Sequence, residues 1–448
     1  MCSVTKFGTS GFGGAKTCFE QFRHPCQRGM DSIANGEAIM TSRRQFLGGL
    51  AVSAGALAAC SEVSSIGGTS EGRSANEAAR PLTKTDLEDA LVGSSYLGTG
   101  GGGSLAEARE LIEGDLTAGH VFTALPVAAL QDSDRVACPY GLASLADTDP
   151  AMQARLEAIE NRFEAPVQAA FEALERHLDQ KFAGVILGEI GPLSLAEGLS
   201  IAARLGVPAL DADTVGRAVP EINQHSVKVA GIPLTPIGTA TPFGDEMVVE
   251  TLGDPTRAED ILRSIAVVSR ECGVADSPIT GAQAKAKGTL VQSSLSLAIA
   301  IGKAVRQAKA AGSDPIESAR AAGDGYLLFK GRVSGMEWRD EAGFLQGTLR
   351  LQGDREFAGQ AFETKVKNEH LLARRNGMVV ATCPDLISVI DKDSAEGVGN
   401  PDYTKGQEVT VLGFKSDPLW RTPAGLEVFS PGYFGYDEDY VPIEERLA

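Results

Sequence analysis

The spacing of apolar and polar positions changes near Gly325 and divides the chain there. Before that point, apolar residues recur at helical spacing, and helix-start signals recur with them. Thr85-Asp-Leu-Glu88 reads as a capping box ahead of Leu91, and Ser104-Leu-Ala-Glu107 as a second box opening a helix that ends near Glu113. Residues 151–180 read as one long, charged amphipathic helix. Ala183–Leu187 is the short apolar run of a buried strand, Ser194–Glu197 caps a helix stopping at Gly206, and Val207–Asp211 forms the next strand. Strand, helix, strand in this order predicts a β-α-β unit, whose ligands sit at the carboxyl ends of the strands. Two more helices are predicted near 256–271 and 289–311. After Gly325, alternating runs such as Tyr326–Lys330, Gly347–Gln352, Gly377–Thr382 and Gln407–Leu412 are broken by Gly, Asp and Pro and predict strands. The expected fold class is α/β plus β: an α/β domain with a β-α-β crevice over 81–325, and a β-rich domain over 326–448.

Two segments carry candidate chemistry. Leu97-Gly-Thr-Gly-Gly-Gly-Gly-Ser104 is a glycine loop opening a helix. Four consecutive glycines permit positive φ, and a helix start presents free N–H groups, so Thr99, Gly100, Gly101, Gly102 and Gly103 are candidates to hold a carboxylate or other anion. The loop lies between two helices and lacks a following Gly-Lys-Ser/Thr, so it fits neither a dinucleotide nor a Walker fingerprint. The second segment, Asp211–Glu221, places Asp211, Asp213, Arg217 and Glu221 at a strand end and the turn after it. Carboxylates there can act as general bases, ligate a divalent metal (Asp211 and Asp213 being the candidates) or hold ring N–H groups. Arg217 can pair with them or clamp a substrate carboxylate. Glu189, in Gly188–Pro192, is expected in the same crevice. Of the few histidines, His225 alone falls close to this segment. No G-x-S-x-G elbow is present, which argues against a serine-triad hydrolase.

Charge and the N-terminal segment narrow the setting. The first 59 residues hold six basic and three acidic residues, leaving 35 basic against 56 acidic in the remaining 389, a net charge of −21. Such a surface repels nucleic acid and anionic lipid. Ser42-Arg-Arg-Gln-Phe-Leu47, an apolar run and Leu57-Ala-Ala-Cys60 read as a twin-arginine lipoprotein signal over 40–60, with Cys60 the lipidated residue. Residues 1–39 then read as an extension upstream of a start at Met40, and 61–80 as a flexible tether. The expectation is export in the folded state to the periplasm or cell surface, with membrane contact only through the lipid anchor. Cys138, Cys272 and Cys383 are odd in number and widely spaced, which argues against a disulfide framework and leaves each as a core residue.

Several of these pieces, in this order, resemble the S-methyl thiohydantoin desulfurase family, which is associated with hydantoinases and oxoprolinases. They are Leu97–Ser104, Gly188–Pro192, Ala203–Asp213, Gly216–Glu221, Asn368-Glu369, Cys383–Ile387 and Phe434–Asp437, and the resemblance spans about residues 83–444. It implies a hydrolase that converts an S-methylated thiohydantoin from ergothioneine breakdown to a hydantoin and releases methanethiol. The partner implied is a small cyclic substrate carrying a carboxylate. On that reading Asp211 or Asp213 activates water, directly or through a divalent metal, Glu189 or Glu221 holds or protonates the ring nitrogen, and the glycine loop with Arg217 anchors the carboxylate. The competing class is an exported lipoprotein that binds a small cyclic amide or carboxylate without turnover.

Overall fold

The computed structural model describes residues 78–143 and 150–448; the signal, Cys60 and nearly all of the tether lie outside them. The first sheet has nine strands. β1 (Arg80–Pro81), β2 (Thr123–Leu125), β3 (Arg135–Ala143), β4 (Gly184–Leu187), β5 (Ala209–Asp213), β6 (Ile237–Ala240), β7 (Glu246–Val249) and β8 (Glu271–Thr280) run in the spatial order β1-β2-β5-β4-β3-β8-β6-β7, and β9 (Val291–Gln292) pairs with β5. Strands β2, β5, β4 and β3 are mutually parallel, and β3 meets β8 antiparallel. The central strand β4, Gly-Val-Ile-Leu, is apolar throughout because both its faces are covered. Val185 and Leu187 point into one core, Ile186 and Leu210 into the other, as the two-residue strand period requires.

Helices α1 (Lys84–Leu97), α2 (Leu105–Thr117), α3 (Pro166–Leu178), α4 (Pro192–Leu205), α5 (Arg257–Ser269) and α6 (Ser294–Ala311) account for most of the helical chain. Their boundaries differ from expectation for local reasons. The capping box of α1 is Thr83 with Asp86, two residues before the expected one: Asp86 N–H donates to the Thr83 hydroxyl and the Asp86 carboxylate accepts from Thr83 N–H. The segment 151–180 is two helices, Pro150–Glu157 and α3, since Pro166 lacks an N–H and can begin a helix but not continue one. Helix α4 likewise starts at Pro192, so Ser194 is free of the cap and turns to Glu189. Strand β5 lies two residues later than expected, and Asp213 closes it opposite Leu187 of β4.

From Tyr326 onward the chain forms a curled seven-stranded antiparallel sheet. Its strands are β10 (Tyr326–Glu341), β11 (Phe344–Gly353), β12 (Ala361–Lys367), β13 (Glu369–Arg375), β14 (Met378–Thr382), β15 (Leu386–Asp391) and β16 (Glu408–Phe414), in the order β14-β13-β12-β11-β10-β16-β15. It closes over its own core, which includes Phe329, Phe362, Leu349 and Val411. The expected class, α/β followed by a β-rich region, is what the structure shows. A smaller cluster of Val215, Val291, Leu371, Cys383, Trp420 and Phe429 joins the turn after β5 to this second sheet, and Trp420 Nε1 donates to Val215 O at 2.7 Å.

Candidate active site

The glycine loop is held from both sides. Gly102 O accepts from Leu193 N (2.8 Å) and Ser194 N (3.2 Å), so the loop supplies the acceptor that the first turn of α4 needs. From the second sheet, His370 N donates to Thr99 O (2.9 Å) and Asn400 N to Gly100 O (2.7 Å). This crowding explains the glycines. A Cβ on Gly102, whose φ is +73°, would lie 2.3 Å from Gly191 Cα, and one on Gly101 would lie 1.8 Å from Glu369 Oε1. Among the described residues, no acceptor takes the N–H of Gly102 or Gly103. The loop therefore presents backbone donors beside a buried carboxyl group.

Glu369 borders this loop, Glu189 is tied to it through Ser194, and Asp213 lies within reach of the Glu189 charge; burial raises the pKa of each. Glu189 accepts from Ser194 Oγ (2.8 Å) through Oε1 and from Val219 N (2.9 Å) through Oε2; burial outweighs these bonds and the Arg217 charge. Asp213 Oδ2 accepts from Val215 N (3.0 Å) and Gly216 N (2.6 Å), whereas Oδ1 has no partner. Ser294 Oγ lies near enough to favour the charged form, but it too lacks a hydrogen bond of regular geometry. Burial nonetheless pushes Asp213 up to about 7, with the Glu189 charge adding to the rise. Glu369, 2 % exposed, has a buried, unpartnered Oε2, and burial followed by the Glu189 charge pushes it well above the usual range. Glu189 thus sits electrostatically between the other two. Asn400, whose Oδ1 is also buried and unpartnered, borders the same loop.

The remaining sequence candidates are placed differently. Asp211 faces the first turn of α6, where Oδ1 accepts from Ser296 N (2.8 Å) and Oδ2 from Ser296 Oγ (2.6 Å); it satisfies a helix start. Among the described residues, Asp211 and Asp213 form no cluster of three ligating groups, so the expected metal pair is not assembled there. Arg217, 1 % exposed, is also corrected as a substrate clamp. It donates from Nε to Ala218 O, from Nη1 to Pro384 O and Asp385 O, and from Nη2 to Thr99 Oγ1 and His370 O, with Phe429 5.1 Å from its guanidinium. All five N–H groups of an arginine are then used, and they bind the glycine loop to the second sheet. Glu221 is tied to Lys367 Nζ and, at 2.6 Å, to Tyr433 OH. His225 caps a four-residue helix, Ser226–Val229, through Nδ1 (3.3 Å from Val227 N). The three cysteines are free and buried, as expected.

Two family models match in tandem: "S-Me-THD-like, N-terminal domain" over residues 85–251 and "S-Me-THD-like, C-terminal domain" over residues 253–443. The chain belongs to the S-Me-THD-like family. This bears out the resemblance to S-methyl thiohydantoin desulfurases at the level of the family. The boundary between the two family regions differs from the change of architecture: β8 and β9, inside the C-terminal family region, complete the first sheet. The crystal structure of a protein from Chromobacterium violaceum, a structural genomics target, is similar with a TM-score of 0.66 and 24% identity, covering 82% of this chain and 100% of that one. At that identity the likeness shows the fold alone. No curated protein matches the chain.

Glu369 and Asn400 are the site residues that the sequence reading did not select. Glu369 stands among the pieces carrying the family resemblance, but it is about 270 residues from the glycine loop, and only the start of β13 brings it there. Asn400 had no signal beyond its place in a Gly-Asn-Pro turn.

Proposed function

We propose that this S-Me-THD-like protein is a hydrolase that replaces the S-methyl group of an S-methylated thiohydantoin with oxygen. Water adds to the ring carbon bearing sulfur, the C–S bond breaks, methanethiol leaves with one proton, and the ring becomes a hydantoin. The observation carrying this reading is a set of three carboxyls whose pKa burial raises: Glu369 against the glycine loop, Glu189 tied to it through Ser194, and Asp213 within reach of the Glu189 charge. Asp213, at about 7, has both forms populated near neutrality, which suits a group that moves protons. Asp213 takes a proton from the attacking water, and Glu369, whose protonated form burial favours, gives one to the departing sulfur or the ring nitrogen. The N–H groups of Gly102 and Gly103 hold the substrate carboxylate or the developing oxyanion.

The test is turnover by the full chain of S-methyl thiohydantoins, hydantoins and 5-oxoproline, with methanethiol and ring products followed by mass spectrometry. Methanethiol release that is lost in Glu369→Gln and Asp213→Asn, with both variants folded, is the expected result. Binding of a ring without turnover of any of them would replace the hydrolase with the lipoprotein receptor. We also propose that the protein is exported and anchored through Cys60, on the strength of Ser42–Leu47 and Leu57–Cys60.

A further inference from the structure

A second cluster, apart from the glycine loop, is built from three buried side chains of different chemistry. Cys138 on β3 lies directly opposite Asp276 on β8, so their side chains share one face of the antiparallel pair. Just beyond that pair the register slips, and Ser277 takes φ +51°, the extra residue of a bulge on β8. His225 approaches from the turn after β5, its Nε2 3.4 Å from Asp276 Oδ1. One ligand atom from each of Cys138, His225 and Asp276 lies within 4.8 Å of the other two. Cys138 and Asp276 are 0 % exposed and His225 4 %.

Hydrogen bonding serves His225, which accepts from Val227 N (3.3 Å) through Nδ1 and has Ser277 Oγ 3.5 Å from Nε2, but it leaves Asp276 incomplete. Tyr140 OH donates to Asp276 Oδ2 at 2.8 Å and fixes the carboxylate, but Oδ1 is buried and has no hydrogen-bond partner. A buried carboxylate oxygen aimed at a thiol and an imidazole nitrogen carries a desolvation cost that only a proton or a cation can offset. We infer that Cys138, His225 and Asp276 bind a divalent metal ion of the zinc type, with a coordination position left for water or substrate. Sulfur, imidazole nitrogen and carboxylate oxygen together suit zinc, and hard oxygen-seeking ions much less. A thiolate and a carboxylate neutralise the ion's charge, so the loaded site is compatible with burial. Ligands on a tetrahedral zinc stand about 3.3–3.8 Å apart, so binding draws the three groups together by up to about 1 Å. It also requires the Nε2 lone pair, which moves the imidazole proton to Nδ1 and releases the 3.3 Å bond from Val227 N. Tyr140 then does for Asp276 what outer hydrogen bonds do at other metal sites: it holds a ligand oxygen in orientation. Cys138 feels the charges of Asp213 and Glu189, two of the carboxyls of the proposed hydrolysis. The metal site itself does not depend on that reading.

The experiment is metal analysis of the full chain, with no substrate present. Protein produced with zinc supplied and passed over a desalting column should retain close to one zinc per chain, and Cys138→Ser and Asp276→Asn should each lower retention at least tenfold. Cobalt-loaded wild type should show thiolate-to-cobalt charge-transfer absorption, and cobalt-loaded Cys138→Ser should lose it. Circular dichroism identifies variants that fail to fold. If both do, the spectrum is taken on a chain whose six other cysteines are replaced by serine: a band kept there assigns the thiolate to Cys138, and its loss overturns the assignment. Sub-stoichiometric zinc in the wild type, or bound cobalt without the band, would overturn the assignment. Neither readout uses turnover, so failure of the hydrolase reading and failure of the metal site remain distinct results.

Discussion

Asp213→Asn tests the electrostatics of the site most directly. Burial raises Asp213 from the ordinary 3.8 to about 7, a difference of about 3 pH units, or about 4 kcal/mol. The sign follows from proton counting. Between about pH 4 and about pH 7, the folded state holds this proton while the unfolded state has lost it. Stability from this group is therefore complete below about pH 4 and is lost as pH rises through about 7. Asparagine has nearly the same shape, keeps an oxygen for Val215 N and Gly216 N, and never ionises. Wild type should thus lose stability relative to Asp213→Asn as pH rises, by about 3 kcal/mol between about pH 5 and about pH 8.5. The assay is urea unfolding of both proteins across that range with a chelator present, followed by fluorescence of the tryptophans, Trp338 and Trp420. The same variant should show no turnover. A stability gap flat to within about 0.5 kcal/mol would mean that Asp213 is ionised throughout, and the argument from burial would be wrong.

Three further outcomes follow from the packing and a fourth from the sequence. Gly101→Ala, whose Cβ would stand 1.8 Å from Glu369 Oε1, should cost about 1–3 kcal/mol in thermal unfolding and reduce kcat at least tenfold; wild-type kcat would remove the loop from the reacting centre. Arg217→Lys replaces five N–H donors with at most three and leaves buried carbonyls unpaired, so unfolding should become easier by about 3–5 kcal/mol; a loss below about 1 kcal/mol would show that Arg217 does not join the loop to the second sheet. Asp211→Ala removes a helix-start acceptor and should cost about 1 kcal/mol with kcat unchanged, so a collapse in kcat would return Asp211 to the mechanism. Cells fed labelled palmitate should incorporate it into the wild-type chain and not into Cys60→Ala; label in both would refute anchoring at Cys60.

How much was legible in the sequence depends on the range of the forces involved. Local rules act over a few residues, so the glycine loop, the helix after Ser104, the β-α-β unit and the strands after Gly325 could all be read from spacing and turn residues. The errors were local competitions as well. Pro166 began a second helix inside a segment read as one, Pro192 displaced a helix start read from the Ser194–Glu197 cap, and β5 slid two residues to pair with β4. Composition also set which chemistry was available: carboxylates and a glycine loop, with few histidines.

Roles were decided by the tertiary structure. Asp211 and Asp213 are two residues apart on one strand, yet one satisfies a helix start and the other lies buried with an unpartnered oxygen. Arg217 resembles a substrate clamp in sequence and is used to bind the glycine loop to the second sheet. Glu369 and Asn400 reach the loop, and Cys138 meets Asp276 and His225, through contacts between segments far apart in the chain. Sequence spacing specifies which residues can form an element. Whether a carboxyl is charged, capped or left without a partner depends on solvent exclusion by distant segments, and only the assembled fold creates that exclusion.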